Sequence, residues 1–410
     1  LATSRFLRTA AHLSGVPAIT VFEAGNHIGG HTHTHQIGLL GQDYAVDTGF
    51  IVFNDRTYPN FIQLLDELGV ASQPSDMSFS VRCEKTGLEY NGTSLNSLFA
   101  QRRNLFKPSF IRMILDILRF NKECLELLKE GEEIRLGDYL AQNGYGLDFV
   151  DRYIVPMGSA IWSTDTKSMM DFPARFFVRF FHHHGMLTVD DRPQWRVVKG
   201  GSASYVEQLT KGFRNKIRLN NPVLKVRRLK RSVRVTSLHG GEEAFDWVFF
   251  ACHSDQALAM LHDATSQERE ILGAIPYQEN SIFLHHDAAM MPKRKLAWAA
   301  WNYHVTPEPT DRVAVTYNMN ILQGLRSAEP LLVTLNHTQG INPAKVIKRL
   351  TYHHPVYTTA GAAAQARHHE ISGHQRTAYC GAYWRNGFHE DGVVSALAAL
   401  SHFNEAVHAG

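Results

Sequence analysis

The stretch EAGNHIGGHTHT, residues 23–34, decides how the rest of the chain is read. It continues from AITVFEA, a short β-branched strand that ends on Glu23, and brings the glycine pair Gly29 and Gly30 soon after. In a dinucleotide-binding βαβ unit, an acidic residue about 20 positions beyond a glycine-rich loop accepts hydrogen bonds from the adenosine ribose. Glycines without a Cβ let the backbone approach a pyrophosphate closely. Yet 22 residues precede Glu23, and none forms a G-x-G-x-x-G loop. The opening LATSRFLRTAAHLSG places Ala2, Phe6, Ala10 and Leu13 on one helical face and stops at Gly15 and Pro17. Helix then strand is the tail of a βαβ unit. The expectation is a partial sequence, a fragment whose first strand and glycine loop lie upstream of Leu1.

The far end of the chain supplies a second anion-binding element. YCGAYW ends a strand, and GFHEDGVVSALAAL starts a helix near Asp391 and Gly392, so the free N–H groups and positive dipole end of that helix face an anionic group. The electron-rich N1/C2 region of a reduced flavin is such a group. Between the ends, THQIGLLGQDYAVDTGF reads as a hairpin, residues 60–150 turn helical, and 275–340 alternate like an antiparallel sheet. Ile111, Ile114, Leu115 and Leu118 recur at helical spacing and are taken as core or lid.

At 410 residues the chain suits two or three domains or one discontinuous two-domain enzyme. A net charge of +3 with short basic groups such as KVRRLKR (225–231), read as a solvated strand or hairpin face, argues against nucleic-acid binding. Cys83, Cys124, Cys252 and Cys380 fit no C-x-x-C pattern and read as free thiols of a reducing compartment. No apolar run approaches the roughly 18–20 residues of a membrane span, so a cytoplasmic protein is expected, with peripheral membrane contact left open.

Together, Glu23, IGGHTHT, VDTGF, NNPVLKV, DWVFFACHSDQALAML and YCGAYWRNGFHEDGVVSALA resemble the successive FAD-binding blocks of the flavin-containing amine oxidase superfamily. VPMGSAIWST, DFPARFFVRFFHHHGML, DRPQWRVVKGGSASYV, AWAAWNYH and FHEDGV are similar to the FAD-dependent oxidoreductase group found beside cyclopropane-fatty-acid synthases. The resemblance spans essentially the whole chain. It implies an α/β fold: a Rossmann-like FAD-binding domain (1–75, 196–265 and 372–410) and a discontinuous α+β substrate domain (76–195 and 266–371). It implies FAD as cofactor, with Glu23 on the ribose and Gly29, Gly30, His31 and Thr32 along the pyrophosphate and ribityl chain. Gly49 and Phe50 would approach the flavin, and Val223 would offer its backbone to the adenine. Gly381 and Ala382 would meet the pyrophosphate, and Asp391, Gly392 and Val393 would cap the flavin.

This chain departs from the superfamily pattern where His31 replaces a common arginine, exchanging a fixed cation for one titrating near neutrality. A second departure is Ala382, where an acidic residue is common. The alternating His31, His33 and His35 and the run His182, His183, His184 read as packing or cofactor contacts, since no Cys or carboxylate completes a metal set. GGSASY lacks the G-x-S-x-G elbow of a hydrolase. No catalytic side chain is assigned. His285, His286, Trp301, Asn302, Tyr303 and His389 are candidates for orientation or proton transfer, each weighed against plain packing. The expected activity is hydride transfer from an apolar substrate, a fatty acyl chain or modified lipid, to the flavin. An amine oxidase, a flavin isomerase, or a flavin-free relic acting as a binding module are the alternatives.

Overall fold

In the computed structural model, which describes residues 18–129, 133–188, 192–307 and 312–409, two parallel strand pairs form the nucleotide side of the fold. Val21–Phe22 lies beside Ile217–Arg218, and Val248–Phe250 beside Thr377–Tyr379. Among the described residues the two pairs are not hydrogen-bonded to each other. Burial pushes the thiol of Cys252, just past strand Val248–Phe250, up to about 12. Ligands of open α/β sheets bind at such strand ends. The helix expected over residues 1–15 lies outside the described residues.

Around this edge sit three smaller elements. Thr34–Leu39 and Gln42–Asp47 form the expected hairpin, turned by Leu40 and Gly41 at φ 51° and 78°; this backbone matches the twist of two-residue hairpins. Val223–Arg228, Val233–Ser237 and Gly241–Phe245 make an antiparallel meander. Val52–Asn54 and Ser72–Pro74 flank Trp195–Val198 on either side.

The larger element is a seven-stranded sheet in the order Val346–Pro355, Tyr277–His285, Leu332–Leu335, Val315–Asn318, Trp301–Val305, Phe79–Cys83, Leu88–Asn91. Its neighbours are antiparallel except Trp301–Val305 with Phe79–Cys83. Helices from residues 108–183 cover it and share a core containing Phe120, Phe149, Phe177 and Phe181 with Val81, Val315 and Val333.

Three expectations are corrected. The span 60–150 is not helical throughout, since strands Ser72–Pro74, Phe79–Cys83 and Leu88–Asn91 interrupt it. Phe79–Cys83 pairs locally with Leu88–Asn91 and, far along the chain, with Trp301–Val305. Helix Pro108–Glu123 buries only part of the stripe read as core or lid: Ile114 packs against the core and Ile111 is half-buried, but Leu115 and Leu118 are 60% and 46% exposed, and the fully buried residues are Phe110, Met113 and Phe120. The aromatic residues win the inner face because they remove more apolar area from water.

The basic group 225–231 is not wholly solvated either. Arg228 is buried; its Nε donates to Asp263 Oδ1 at 3.1 Å and its Nη2 to Glu268 Oε2 at 2.8 Å, with Nη1 also on Glu268. Glu268 also accepts from Tyr379 Oη at 2.7 Å and from Thr265 N at 2.8 Å, so this pair fastens the meander to strand Thr377–Tyr379. Burial raises the Glu268 carboxyl, but the Arg228 guanidinium and the Thr265 N–H outweigh it and hold the group below its usual 4.5. The resulting stabilisation is present above that pH and is lost as pH falls through the lower folded value. Glu268→Gln is expected to cost roughly 1–3 kcal/mol at pH 7, because it removes the buried charge partner of Arg228 and leaves that guanidinium paired with Asp263 alone. Urea unfolding should show that difference shrinking as the pH is taken below about 4.5.

Candidate cofactor and substrate site

The loop that carries the glycine pair is fixed from behind by Asp47. Its carboxylate accepts from Thr34 Oγ1 at 2.5 Å, Ser202 N at 3.0 Å, Ser202 Oγ at 2.9 Å and Gln323 Nε2 at 3.2 Å. Thr34 Oγ1 accepts from Ala203 N at 2.8 Å, so both side chains cap the start of helix Ala203–Thr210, where a negative charge also meets the positive dipole end. GGSASY is therefore an anchor. Gly201 is required there, since its φ is +93° and a Cβ would stand 2.5 Å from Thr34 Cγ2. Burial pushes the Asp47 carboxyl up to about 6, with the donors of Thr34 and Ser202 pulling it down.

In front of this anchor stand the residues named from sequence. Glu23 Oε1 accepts from Gly25 N at 2.7 Å, and its carbonyl accepts from Asn221 N at 2.9 Å. Gly29 has φ +119° and leaves no room for a Cβ, whereas a Cβ on Gly30 or Gly392 would meet nothing within 4 Å. Thr32 Oγ1 pairs with Tyr205 Oη at 2.8 Å. Gly49 packs so tightly that a Cβ would lie 2.5 Å from His31 O. Phe50 takes φ 51°, a costly value for an aromatic residue, and its carbonyl accepts from His389 Nε2 at 2.6 Å.

Val223 opens the meander and packs against the cluster of Val226, Phe250 and Tyr379. Gly381 follows strand Thr377–Tyr379 and donates to Ser395 Oγ at 2.9 Å, and Ala382 begins the next turn. Helix His389–Ala409 starts as expected beside this edge. Asp391 accepts from Phe388 N at 2.9 Å, Gly392 N already donates to Phe388 O at 3.1 Å, and the Val393 side chain is buried among Phe53, Tyr58 and Phe61. Two observations fit a flavin nucleotide. Gly30 and Gly392 face open space, and the buried Tyr383 phenol, beside Cys252 and Cys380, has no hydrogen-bond partner.

His31 is not the near-neutral titrating cation expected. Desolvation, with His354, His253, His353 and His27 around it, lowers it to about 3, so the ring is uncharged at physiological pH. His33 and His35 spend ring nitrogens on the protein, on Tyr352 Oη at 3.1 Å and on Thr48 Oγ1 at 3.2 Å with Lys348 Nζ at 3.0 Å. His182 and His183 are exposed, and His184 stacks on Phe180 at 3.8 Å.

The proton-transfer candidates scatter. His285 pairs with Thr334 Oγ1 at 2.8 Å inside the sheet, and His286 pairs with Glu329. Asn302 is tied to Ser80, Ala299 and Thr316, and Trp301 packs edge-on against Tyr317. His389 alone joins the crevice, stacked on Phe61 at 4.3 Å. Sequence reasoning missed Asp47, Tyr352, His354 and Tyr357. The aromatic and histidine-rich run TYHHPVY (351–357) was the available signal: Tyr352 lies 4.7 Å and His354 5.6 Å from the His31 ring.

The family model for flavin containing amine oxidoreductase matches residues 7–281, about two thirds of the chain, and the chain belongs to that family. It is accordingly a flavin-dependent oxidoreductase with the mixed helix and sheet fold of that class. Cyclohexylamine oxidase from Brevibacterium oxydans IH-35A has a similar structure, with a TM-score of 0.68 at 13% identity over 98% of this chain and 96% of that one. The CLA-producing fatty acid isomerase from P. acnes is similar at TM-score 0.67 and 14% identity over 98% and 95%. Putrescine oxidase bound to putrescine gives 0.66 and 13% over 98% and 96%. No curated protein matches significantly.

Asp47→Asn keeps the side-chain shape but turns an amide N–H₂ toward the Ser202 and Thr34 donors. The expected cost is about 1–3 kcal/mol in unfolding free energy. Limited proteolysis should cut first within 25–50, the loop that Asp47 holds.

Proposed function

We propose that the chain is an FAD-dependent oxidoreductase that removes a hydride from an apolar, chain-like substrate with an anionic end, a fatty acyl compound or modified lipid. The observation that carries this reading is a wall of aromatic rings next to the start of the C-terminal helix. Trp162 packs on Phe172 and Phe180 at 4.8 Å each, Tyr357 stacks on Phe176 at 5.2 Å, and Phe388 stacks on Phe180 at 5.2 Å. The Trp162 Nε1 and Tyr357 Oη atoms are buried without partners. A half-open cleft of about 350 Å³ adjoins the wall at Phe388, with Arg56, His183 and Arg385 on its lining. Its acidic lining residues are committed to the protein: Glu390 caps helix Pro59–Leu68 through Phe61 N at 2.9 Å, and Asp391 accepts from Phe388 N. Rings hold a hydrocarbon chain, and Arg385, half exposed and 3.8 Å from Asp391, is placed to meet a carboxylate or phosphate end.

Bound flavin supplies the hydride-accepting N5. The chain's own residues then position the C–H bond and exclude water, work that needs no charged catalytic side chain. Glu23 at a strand end, in the ribose position, favours FAD as the flavin. The family, together with the amine oxidases among the similar structures, favours an amine as the second reading.

The exposed stripe of helix Pro108–Glu123 supports a peripheral membrane location on the cytoplasmic side. Leu115 and Leu118 project on the face that also carries Arg112 and Lys122, an apolar and basic combination suited to an anionic bilayer. Among the described residues no helix is long and apolar enough to cross a membrane.

The purified protein is expected to be yellow with near-stoichiometric FAD. Anaerobic addition of fatty acids should bleach the flavin's visible band, and Phe388→Ala should raise KM about 10-fold with FAD content unchanged. Bleaching by amines alone would decide for the second reading. Wild-type protein should sediment with phosphatidylserine vesicles, and the Leu115→Glu, Leu118→Glu double variant should remain in the supernatant.

A further inference from the structure

Outside the cofactor crevice, three strands of the large sheet bring Glu84, His304 and His337 together. Glu84 follows Phe79–Cys83 and donates its N–H to Val305 O at 2.9 Å; His304 lies in Trp301–Val305, and His337 follows Leu332–Leu335. One ligand atom from each lies within 4.8 Å of the other two, and no other such set of His, Cys, Asp and Glu side chains occurs among the described residues.

The histidine at the back of this group is presented as a ligand. His304 is 2% exposed, its Nε2 is fixed by Thr316 Oγ1 at 3.0 Å, and its Nδ1 is buried with no hydrogen-bond partner. Thr316 Oγ1 is in turn paired with Thr334 Oγ1 at 2.8 Å, and Thr334 Oγ1 with His285 Nε2 at 2.8 Å. A metal-binding imidazole has this form, with one nitrogen oriented by a hydrogen-bonded partner and the other aimed at the ion. A buried, unpaired ring nitrogen is costly unless something satisfies it.

Glu84 and His337 close the front. Their side chains keep 25% and 23% exposure, which leaves a path for an ion and a water, and Glu84 Oε1 stands 3.8 Å from His337 Nε2, too far for a hydrogen bond. Tetrahedral coordination at roughly 2.0–2.2 Å would place donors about 3.3 Å apart, so the set has to contract only modestly. Arg82 steadies Glu84 from outside: its Nη2 lies 3.7 Å from Glu84 Oε1, while its Nη1 is held by Ala289 O at 2.9 Å and Met291 O at 3.1 Å.

We propose that Glu84, His304 and His337 form a divalent zinc-class metal site with one position left to water. Two imidazoles and one carboxylate are an established donor set for zinc. The ion ties the ends of Phe79–Cys83, Trp301–Val305 and Leu332–Leu335 together, so its primary effect is on stability.

The test uses the purified, full-length flavoprotein after chelator treatment and dialysis. Titration with Co²⁺ should give one tight equivalent and a d–d band of four-coordinate intensity, to the red of the flavin band, that Zn²⁺ displaces. Zn²⁺ should also raise Tm. His337→Ala and Glu84→Gln should weaken binding roughly 100-fold and remove both signals, with circular dichroism confirming that each variant is folded. The His182→Ala, His183→Ala variant should bind as wild type does. Absence of saturable binding, or binding that survives both Glu84→Gln and His337→Ala, overturns the assignment.

Discussion

Asp47 is buried at the start of helix Ala203–Thr210, with Thr34, Ser202 and Gln323 all donating to its carboxylate. Three separate stretches of sequence converge on that group, and one of them, Gln323, lies at the end of the short helix Met319–Leu322, far along the chain. The hairpin Thr34–Asp47 buries Ile37 and Val46 in the core; pinned at both ends, it holds Gly29, Gly30 and His31 on one side and Gly49 and Phe50 on the other. The positive φ at Phe50 persists because the His389 ring takes its carbonyl from the opposite side. A buried carboxylate is costly unless saturated with donors, and here the saturation supplies the rigidity the crevice requires.

What the chain reveals in one dimension follows from the range of the interactions involved. The strand ending at Glu23, the hairpin around Leu40 and Gly41, and the helix beginning near Asp391 were legible because each is dictated by neighbours a few residues apart. Strand Phe79–Cys83 has a local partner in Leu88–Asn91, but the strand that carries it into the large sheet lies beyond residue 300. The stripe through Leu115 and Leu118 misled because periodicity reports that a helix has an apolar face, without saying which of two faces meets the core. Arg228 was misplaced for a related reason: a basic run looks solvated until the acids that meet one of its members, Asp263 and Glu268, are known.

The electrostatics of the crevice also escape the sequence. A count of histidines suggests positive charge, but His31, His33 and His35 are lowered to about 3, 4 and 3, chiefly by burial. The lining is therefore polar without being cationic, and anionic parts of a nucleotide there would rely on backbone N–H groups and helix ends more than on side-chain charge. Beyond His389, Phe388, Phe180 and Trp162 continue the packing as a chain of uncharged rings.

Glu390 reaches across 330 positions of sequence to the amide of Asn60, and the buried Val393 joins a core otherwise made by Phe53, Phe61 and Val206. A ribosome synthesises Phe53 and Phe61 more than 300 residues before Val393. During translation the first two of these residues wait uncovered, and their core closes only after Val393 has emerged. A nascent chain stalled before helix His389–Ala409 would expose aromatic surface of the kind chaperones bind, so cellular yield should depend on how fast the first turns of that helix are delivered.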